Sequence, residues 1–346
     1  MINSSGIGVY LSGILPFLLK SENYFLLLGN PNCLHSFKEY PNAEIIECNV
    51  KPFSLEELLF FPKGILKQIN SSSFFYSPFF NIPGGIKVTV CTTIHDIIFP
   101  DIPELISRTG LAARMWFYRR TQRRSKRIFT VSQFSKSRIE HHLGNTKPVI
   151  VTYSAIQTTF LSDIENSRTI KKETIVFIGN IKKHKGLDLL LEAFLKAKDR
   201  GLSHKLLIIG EKDNFRSSDS NVVKKIESAP ESCVTFTGYV SGEQLKKHLS
   251  EAALLVQPSL YEGFGLPPLE AMVLGTAVLI SDIPVFREIY ADFPVNFFRK
   301  GDVEDLENKL LELLNNTSPP SPVLSEELLS RYSFEKTANT ILGELK

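Results

Sequence analysis

Cysteine is scarce in this chain. Cys33, Cys48, Cys91 and Cys233 are the only four in 346 residues, and they stand apart without paired spacing. That excludes a disulfide framework or a cysteine-held metal cluster as the organising device, and it predicts reduced thiols in a cytoplasmic protein. Long apolar runs are missing as well: the longest, such as residues 11–19 and 25–28, are far short of the roughly 20 residues that span a bilayer. Met1 is followed by neither a basic n-region nor a cleavage site, so no secretory leader is expected. Charge of one sign is not in large excess, with a net charge of only +3. No nucleic-acid motif accompanies the basic residues, so nucleic acid is not an expected partner. No Asp-x-Asp triplet is available to hold a divalent cation.

What is present is size and alternation. The length suffices for two domains, since single cores rarely grow beyond about 250–300 residues. Strand patterns fall at residues 24–28, 44–48, 73–76, 87–92, 127–131 and 149–152, between helical patterns at 9–19, 55–68, 108–124 and 135–142. A polar stretch over 161–172 reads as an interdomain linker. The alternation restarts with strands at 175–178, 205–209, 234–237, 254–257 and 277–280 and helices at 187–197, 221–227 and 242–250. A Pro/Ser/Asn segment at 315–322 precedes a last helix. Alternating strands and helices predict parallel α/β architecture, with a ligand between the carboxyl ends of two such domains. The basic residues concentrate between Arg108 and Arg127, interleaved with Leu111, Met115, Trp116, Phe117 and Tyr118. Such a helix suits an anionic membrane surface; the alternative is a surface helix with an apolar side in the core and solvated arginines.

The most informative stretch runs from Tyr261 to Met272, Y-E-G-F-G-L-P-P-L-E-A-M, after a buried-strand pattern. Gly263 and Gly265 permit positive φ and close approach of a ligand. Pro267 and Pro268 suit a helix's first turn. The free N–H groups of that turn favour an anion such as phosphate. Glu262 and Glu270 flank the same place. The pattern predicts a site for a phosphorylated, hydroxyl-rich ligand.

Two glutamates with seven residues between them, around G-F-G-L-P-P-L, resemble the signature of the family 4 retaining glycosyltransferases of the group 1 type, and the resemblance runs from Gly6 to the last helix. It implies a GT-B fold: two Rossmann-like domains facing a central cleft, here residues 1–165 for the acceptor and 166–325 for the nucleotide sugar. Residues 326–346 would form a helix crossing back to the first domain. In the family a central strand precedes the first glycine loop, whereas this sequence starts at that loop. The first strand of the N-terminal domain is therefore expected to be missing, with poor stability if the sequence is complete.

The same resemblance implies roles for individual residues. Gly6 and Gly8 would form the loop over the diphosphate. His95, in Ile94-His95-Asp96, would contact the donor sugar, and Asp96 would orient the loop. In Gly179-Asn180-Ile181-Lys182-Lys183-His184-Lys185-Gly186, Lys185 would neutralise the leaving diphosphate. Asn180 stands where the family often has Arg, with Lys182, Lys183 and His184 open as substitutes. Tyr239 or Val240 would pack on the base or in the core. Glu262 would face the sugar's hydroxyls, the N–H groups of Phe264, Gly265 and Leu266 the β-phosphate, and Glu270 the ribose. Ser132 or Ser135, in V-S-Q-F-S-K, would cap a helix.

The implied activity is metal-independent transfer, without a cofactor, of a sugar from a nucleoside diphosphate to a glycan or lipid-linked glycan. Configuration would be retained, as in the mannosyl- and rhamnosyltransferases of bacterial surface polysaccharide. GDP-mannose is the first choice of donor, and the expected place is the cytoplasm or the inner face of the membrane. A catalytically inactive nucleotide-sugar-binding subunit and a nucleotide-sugar epimerase are the alternatives.

Overall fold

The computed structural model describes residues 6–161, 170–210, 222, 226, 230, 232–315 and 319–345. The helix expected over 221–227 falls largely outside the described residues, as do 162–169 of the expected linker and 316–318 of the Pro/Ser/Asn segment. The chain divides into two compact units, Met1–Ala155 with Tyr332–Lys346, and Ile156–Arg331.

In the first unit, α1 (Gly6–Leu18) leads to β1 (Phe25–Gly29), β2 (Ala43–Glu47), α2 (Leu55–Leu59) and α3 (Lys63–Asn70). Then come β3 (Phe74–Ser77), β4 (Thr89–Thr93), α4 (Ile98–Asp101), α5 (Arg108–Arg124), β5 (Ser125–Thr130), α6 (Gln133–Leu143) and β6 (Val149–Val151). β1 and β2 form a parallel pair of their own, and β3-β4-β5-β6 form a separate parallel sheet in that order. Leu28 of β1 and Phe75 of β3 nevertheless pack against one apolar cluster, which holds Ile69 of α3 and Val90 of β4.

Three expectations change here. Gly6 and Gly8 sit in the first turn of α1 and neither has positive φ. The buried stripe Tyr10, Ile14 and Leu18 carries helical winding back to them. The helix expected over 55–68 is two helices, because Pro62 supplies no N–H and disfavours helical backbone at Phe61. The arginines of α5 are not all solvated. Arg114 stacks over the rings of Phe53, Phe80 and Phe99 at 5.0, 5.5 and 5.1 Å. Arg120 donates to the Ile82 carbonyl at 2.6 Å, and Arg124 to that of Ile86.

The second unit runs through α7 (Thr158–Leu161), β7 (Lys172–Ile178), α8 (Leu187–Asp199), β8 (Lys205–Ile209), β9 (Val234–Gly238), α9 (Gly242–Glu251) and β10 (Ala252–Gln257). It continues with α10 (Pro267–Val273), β11 (Ala277–Ser281), α11 (Pro284–Tyr290), β12 (Asn296–Phe298), α12 (Val303–Leu314) and α13 (Glu326–Arg331). Its six strands are parallel in the order β12-β11-β10-β7-β8-β9. All six residues of β10 are buried, as a parallel strand covered on both faces requires. Phe177 and Leu254 share one core cluster with Leu190 and Phe194 of α8 and Leu306 and Leu310 of α12.

The last helix, α14 (Phe334–Glu344), belongs to the first unit. It packs on α1 so closely that a Cβ at Gly13 would collide with the Phe334 ring. Thr337 donates to the Tyr153 carbonyl at 2.6 Å, and Arg127 pairs with Glu344 at 2.8 Å.

Candidate functional site

In the second unit the chain lays β8 and β9 on one side of β7, then returns to its other side with β10, β11 and β12. The loops after β7 and β10 therefore leave neighbouring strands in different directions, and a crevice opens at such a switch point. Both loops carry residues singled out in the sequence.

After β7, a helical turn at Lys183–Lys185 ends at Gly186, whose φ of 70° places it in the left-handed region. A Cβ there would collide with the Pro258 carbonyl, so only glycine lets the two loops meet this closely. The amide of Leu260 donates to the carbonyl of His184 at 2.8 Å and joins them. Lys185 Nζ then reaches both carboxylate oxygens of Glu262, at 2.7 and 2.8 Å, across 77 residues of sequence. Glu262 is 9% exposed. Its Oε1 also accepts from Ser259 Oγ at 2.7 Å, and Ser259 Oγ accepts from Gln257 Nε2 at 3.1 Å. Ser281 Oγ donates to the Ser259 carbonyl at 2.5 Å. Glu262 is thus held by one cation and by a chain of neutral donors behind it.

Beyond Glu262, Gly265 has a φ of 85°, and a Cβ on it would strike the Phe286 ring. Gly263 is not in the positive-φ region. Tyr290 of α11 donates to the Gly265 carbonyl and fixes the loop ahead of α10. Pro267 and Pro268 occupy the first turn, where a missing N–H breaks no hydrogen bond. Glu270 lies in that short helix, 8% exposed. Burial pushes its carboxyl up to about 7.

The loop cations are not alike. Burial, with Lys185 close by, pushes the His184 imidazole down to about 4, so it is neutral and does not supply the charge that Asn180 lacks. Lys182, Lys183 and Asn180 are exposed. At the end of β9, Tyr239 is 69% exposed, which removes it from the core, and Val240 is partly buried.

Gly6, Gly8 and His95 lie in the first unit. His95 Nε2 donates to the Pro78 carbonyl at 2.9 Å, and burial pushes the ring down to about 4. The imidazole is therefore neutral, with its lone pair on Nδ1. The ring of Tyr10 meets it edge-on at 4.9 Å, and the Tyr10 hydroxyl bonds Thr152 at 3.0 Å. Ser135 donates to the His95 carbonyl at 3.1 Å, while Ser132 caps α6 by accepting from the Ser135 amide. Asp96 accepts from the Ile98 amide at the start of α4.

Sequence reasoning missed Ser259, Gln257 and Tyr10. A glutamine closing an otherwise apolar strand was the available signal for the first two, since a buried amide needs a partner.

Residues 162–327 match the family described as glycosyl transferases group 1. The O-antigen chain mannosyltransferase RfbU of Salmonella typhimurium is 30% identical over 219 residues, 59% of this chain and 59% of that protein. The O-antigen chain mannosyltransferase B of Escherichia coli is 27% identical over 256 residues, 70% of this chain and 66% of its own length. This chain therefore spans under two thirds of either relative. Among solved structures, HepE of Anabaena in complex with UDP-glucose superposes with a TM-score of 0.74 at 15% identity, over 100% of this chain and 97% of that one. The fold is that of the GT-B glycosyltransferases, and residues 162–327 form a domain of glycosyltransferase group 1.

Proposed function

We propose that the protein transfers mannose from GDP-mannose to a growing lipid-linked or polysaccharide glycan, with retention of configuration and without a metal ion. The observation that carries the reading is the Lys185–Glu262 pair at the switch point, followed directly by the Gly263–Leu266 loop, within a group 1 domain. The mannosyl donor is supported by the names of the two O-antigen relatives. In this reading the β-phosphate of the donor takes Lys185 and the N–H groups of Phe264, Gly265 and Leu266, which stabilise charge as the phosphate leaves. Glu262, freed from Lys185 but still held by Ser259, turns to the sugar hydroxyls, and Glu270 takes the ribose. The acceptor hydroxyl attacks from the face the phosphate is leaving, and the phosphate oxygen takes its proton. Asn180, Tyr239 and Val240 border the nucleotide. The place of action is the cytoplasm or the inner face of the membrane.

The test is thermal stabilisation by a panel of nucleotides and sugar nucleotides without added metal. A ligand at 100 times its dissociation constant adds about 2.7 kcal/mol, and the selective shift is expected with GDP and GDP-mannose. Glu262→Ala should abolish transfer while sparing nucleoside diphosphate affinity, and Glu270→Ala should weaken that affinity. Undiminished transfer by Glu262→Ala would refute the assignment.

A further inference from the structure

Parallel sheets are apolar on both faces where helices cover them, and the sheet of the second unit departs from that at one corner. Where β7, β8 and β9 begin, alternation turns Ile175, Leu206 and Val234 into the core shared with α8. The other face carries Lys172 and Thr174 of β7, Lys205 and Leu207 of β8, and Thr235 of β9. The register sets Thr174 beside Lys205 and Leu207 beside Thr235. Opposite them stands α9, whose Gln244, Lys247, His248 and Glu251 lie three or four residues apart and share a face. Between sheet and helix is a cavity of 420 Å³, a size that suits a small molecule. It lies at the start of β7, whereas the Lys185–Glu262 crevice lies beyond its end. Seven residues of strand hold the two about 20 Å apart.

The charge of this cavity is one-sided. Lys172, Lys205, Lys247 and His248 line it, and among the described residues Glu251 is its one carboxylate. Lys172 pairs with Glu251 at 2.6 Å. That hydrogen bond first, and then the charges of Lys172, Lys247 and His248, hold the Glu251 carboxyl below its ordinary value, so the cations converge on one place. Lys205 and Lys247 have no carboxylate within ion-pair distance among the described residues. Cations near the end of α9 suit its dipole. Lys172 and Lys205 stand on strands, where no such dipole calls for them. Lysine offers a compact charge to phosphoryl oxygens. Gln244 Oε1 is occupied by the Ser241 amide, which leaves Nε2 to donate, and Thr174 and Thr235 add hydroxyls. Leu207 supplies an apolar floor.

We propose that this cavity is a second ligand site of the domain and takes a phosphate-bearing small organic molecule, its phosphoryl oxygens on Lys172, Lys205 and Lys247 and its body over Leu207. The inference goes beyond the sugar-transfer reading and does not rest on it, because none of these residues belongs to the donor site.

Inorganic pyrophosphate, titrated calorimetrically into the full chain, probes the cavity together with the phosphate site proposed for the donor. Two sites are expected. One is lost in Lys185→Gln; the other is weakened about tenfold for each lysine removed in Lys205→Gln with Lys247→Gln. Thr235→Trp keeps every charge and fills the cavity from its rim, so it should abolish that same site. These three side chains are exposed, and the melting curves should match that of the wild type. In Lys185→Gln, where the cavity alone binds, adenosine 5′-monophosphate should bind more tightly than inorganic phosphate, and equal affinity would overturn the organic ligand. The proposal is also overturned if pyrophosphate binds nowhere, if its one site disappears in Lys185→Gln, or if either cavity variant titrates as the wild type does. A single site that survives Lys185→Gln and disappears in both cavity variants would uphold the cavity while removing Lys185 from the donor site.

Discussion

Glu270 sets a cost in stability against the role proposed for it. Its carboxyl is buried, has no hydrogen-bond partner among the described residues, and titrates near 7 because of desolvation. Between about pH 4.5 and 7 the unfolded chain has released a proton that the folded chain retains, so this residue makes stability fall as pH rises through that window. Glu270→Gln is expected to raise stability by about 2–3 kcal/mol at about pH 8 and to change it little near pH 4. Melting curves of both proteins at the two pH values check this; equal gains at both would deny the buried charge. If Glu270→Gln stabilises the fold and also weakens nucleotide binding, the residue is held for the function proposed. Glu262 differs: Lys185 and Ser259 already satisfy it. The sequence pointed to Lys185 and Glu262 through their loops. Ser259 needed the structure, because its hydroxyl acts on a carboxylate whose direction no local pattern specifies.

At the scale of elements, the loop ahead of α10 depends on one glycine. Gly265→Ala must both adopt a φ of 85° and press a methyl group into Phe286. The expected loss is about 2–3 kcal/mol, together with weaker nucleotide binding as the loop shifts. Urea denaturation and a binding titration measure the two effects; an unaltered midpoint would mean the loop relaxes freely. The prolines after it were readable in advance, since their place in a first turn follows from a missing N–H. So were most strands, because buried parallel strands read as short apolar runs. The division of α2 from α3 also had its signal in Pro62. The inverted face of α2, with Leu55 and Leu59 exposed and Glu57 buried, had none: alternation of leucine and glutamate suggests an apolar side turned inward, and only the Phe53 amide and the Asn81 side chain, which hold Glu57, reverse it.

For the whole molecule, each unit keeps a strongly desolvated, neutral histidine, His95 in the first and His184 in the second, and burial also lowers His204 of the second unit. His95 and His184 titrate near 4 when folded, against an ordinary value of 6.5. Between these values the unfolded chain binds protons that the folded chain refuses. Their contribution is fully present above about pH 6.5 and is lost as pH falls through 4, opposite in sign to that of Glu270. Scanning calorimetry from about pH 7 to 4.5 is expected to show falling transition temperatures. His95→Gln and His184→Gln should each flatten the dependence, and a variant as acid-sensitive as the wild type would remove that histidine from the account.

The sequence by itself determined the class of fold and the loops that matter. Strand and helix periods, glycine freedom and proline geometry are local properties, and they act before any distant contact forms. Tertiary structure decided which loops meet. Lys185 faces Glu262 because β10 pairs with β7 despite the elements between them, and strand order is a long-range choice that neither strand's residues express. It also decided that β1 and β2 pair apart from β3–β6, that half of the α5 arginines serve carbonyls and aromatic rings, and that α2 turns Leu55 and Leu59 outward. In each case a side chain's direction depends on the partner that satisfies it, and that partner lies elsewhere in the chain.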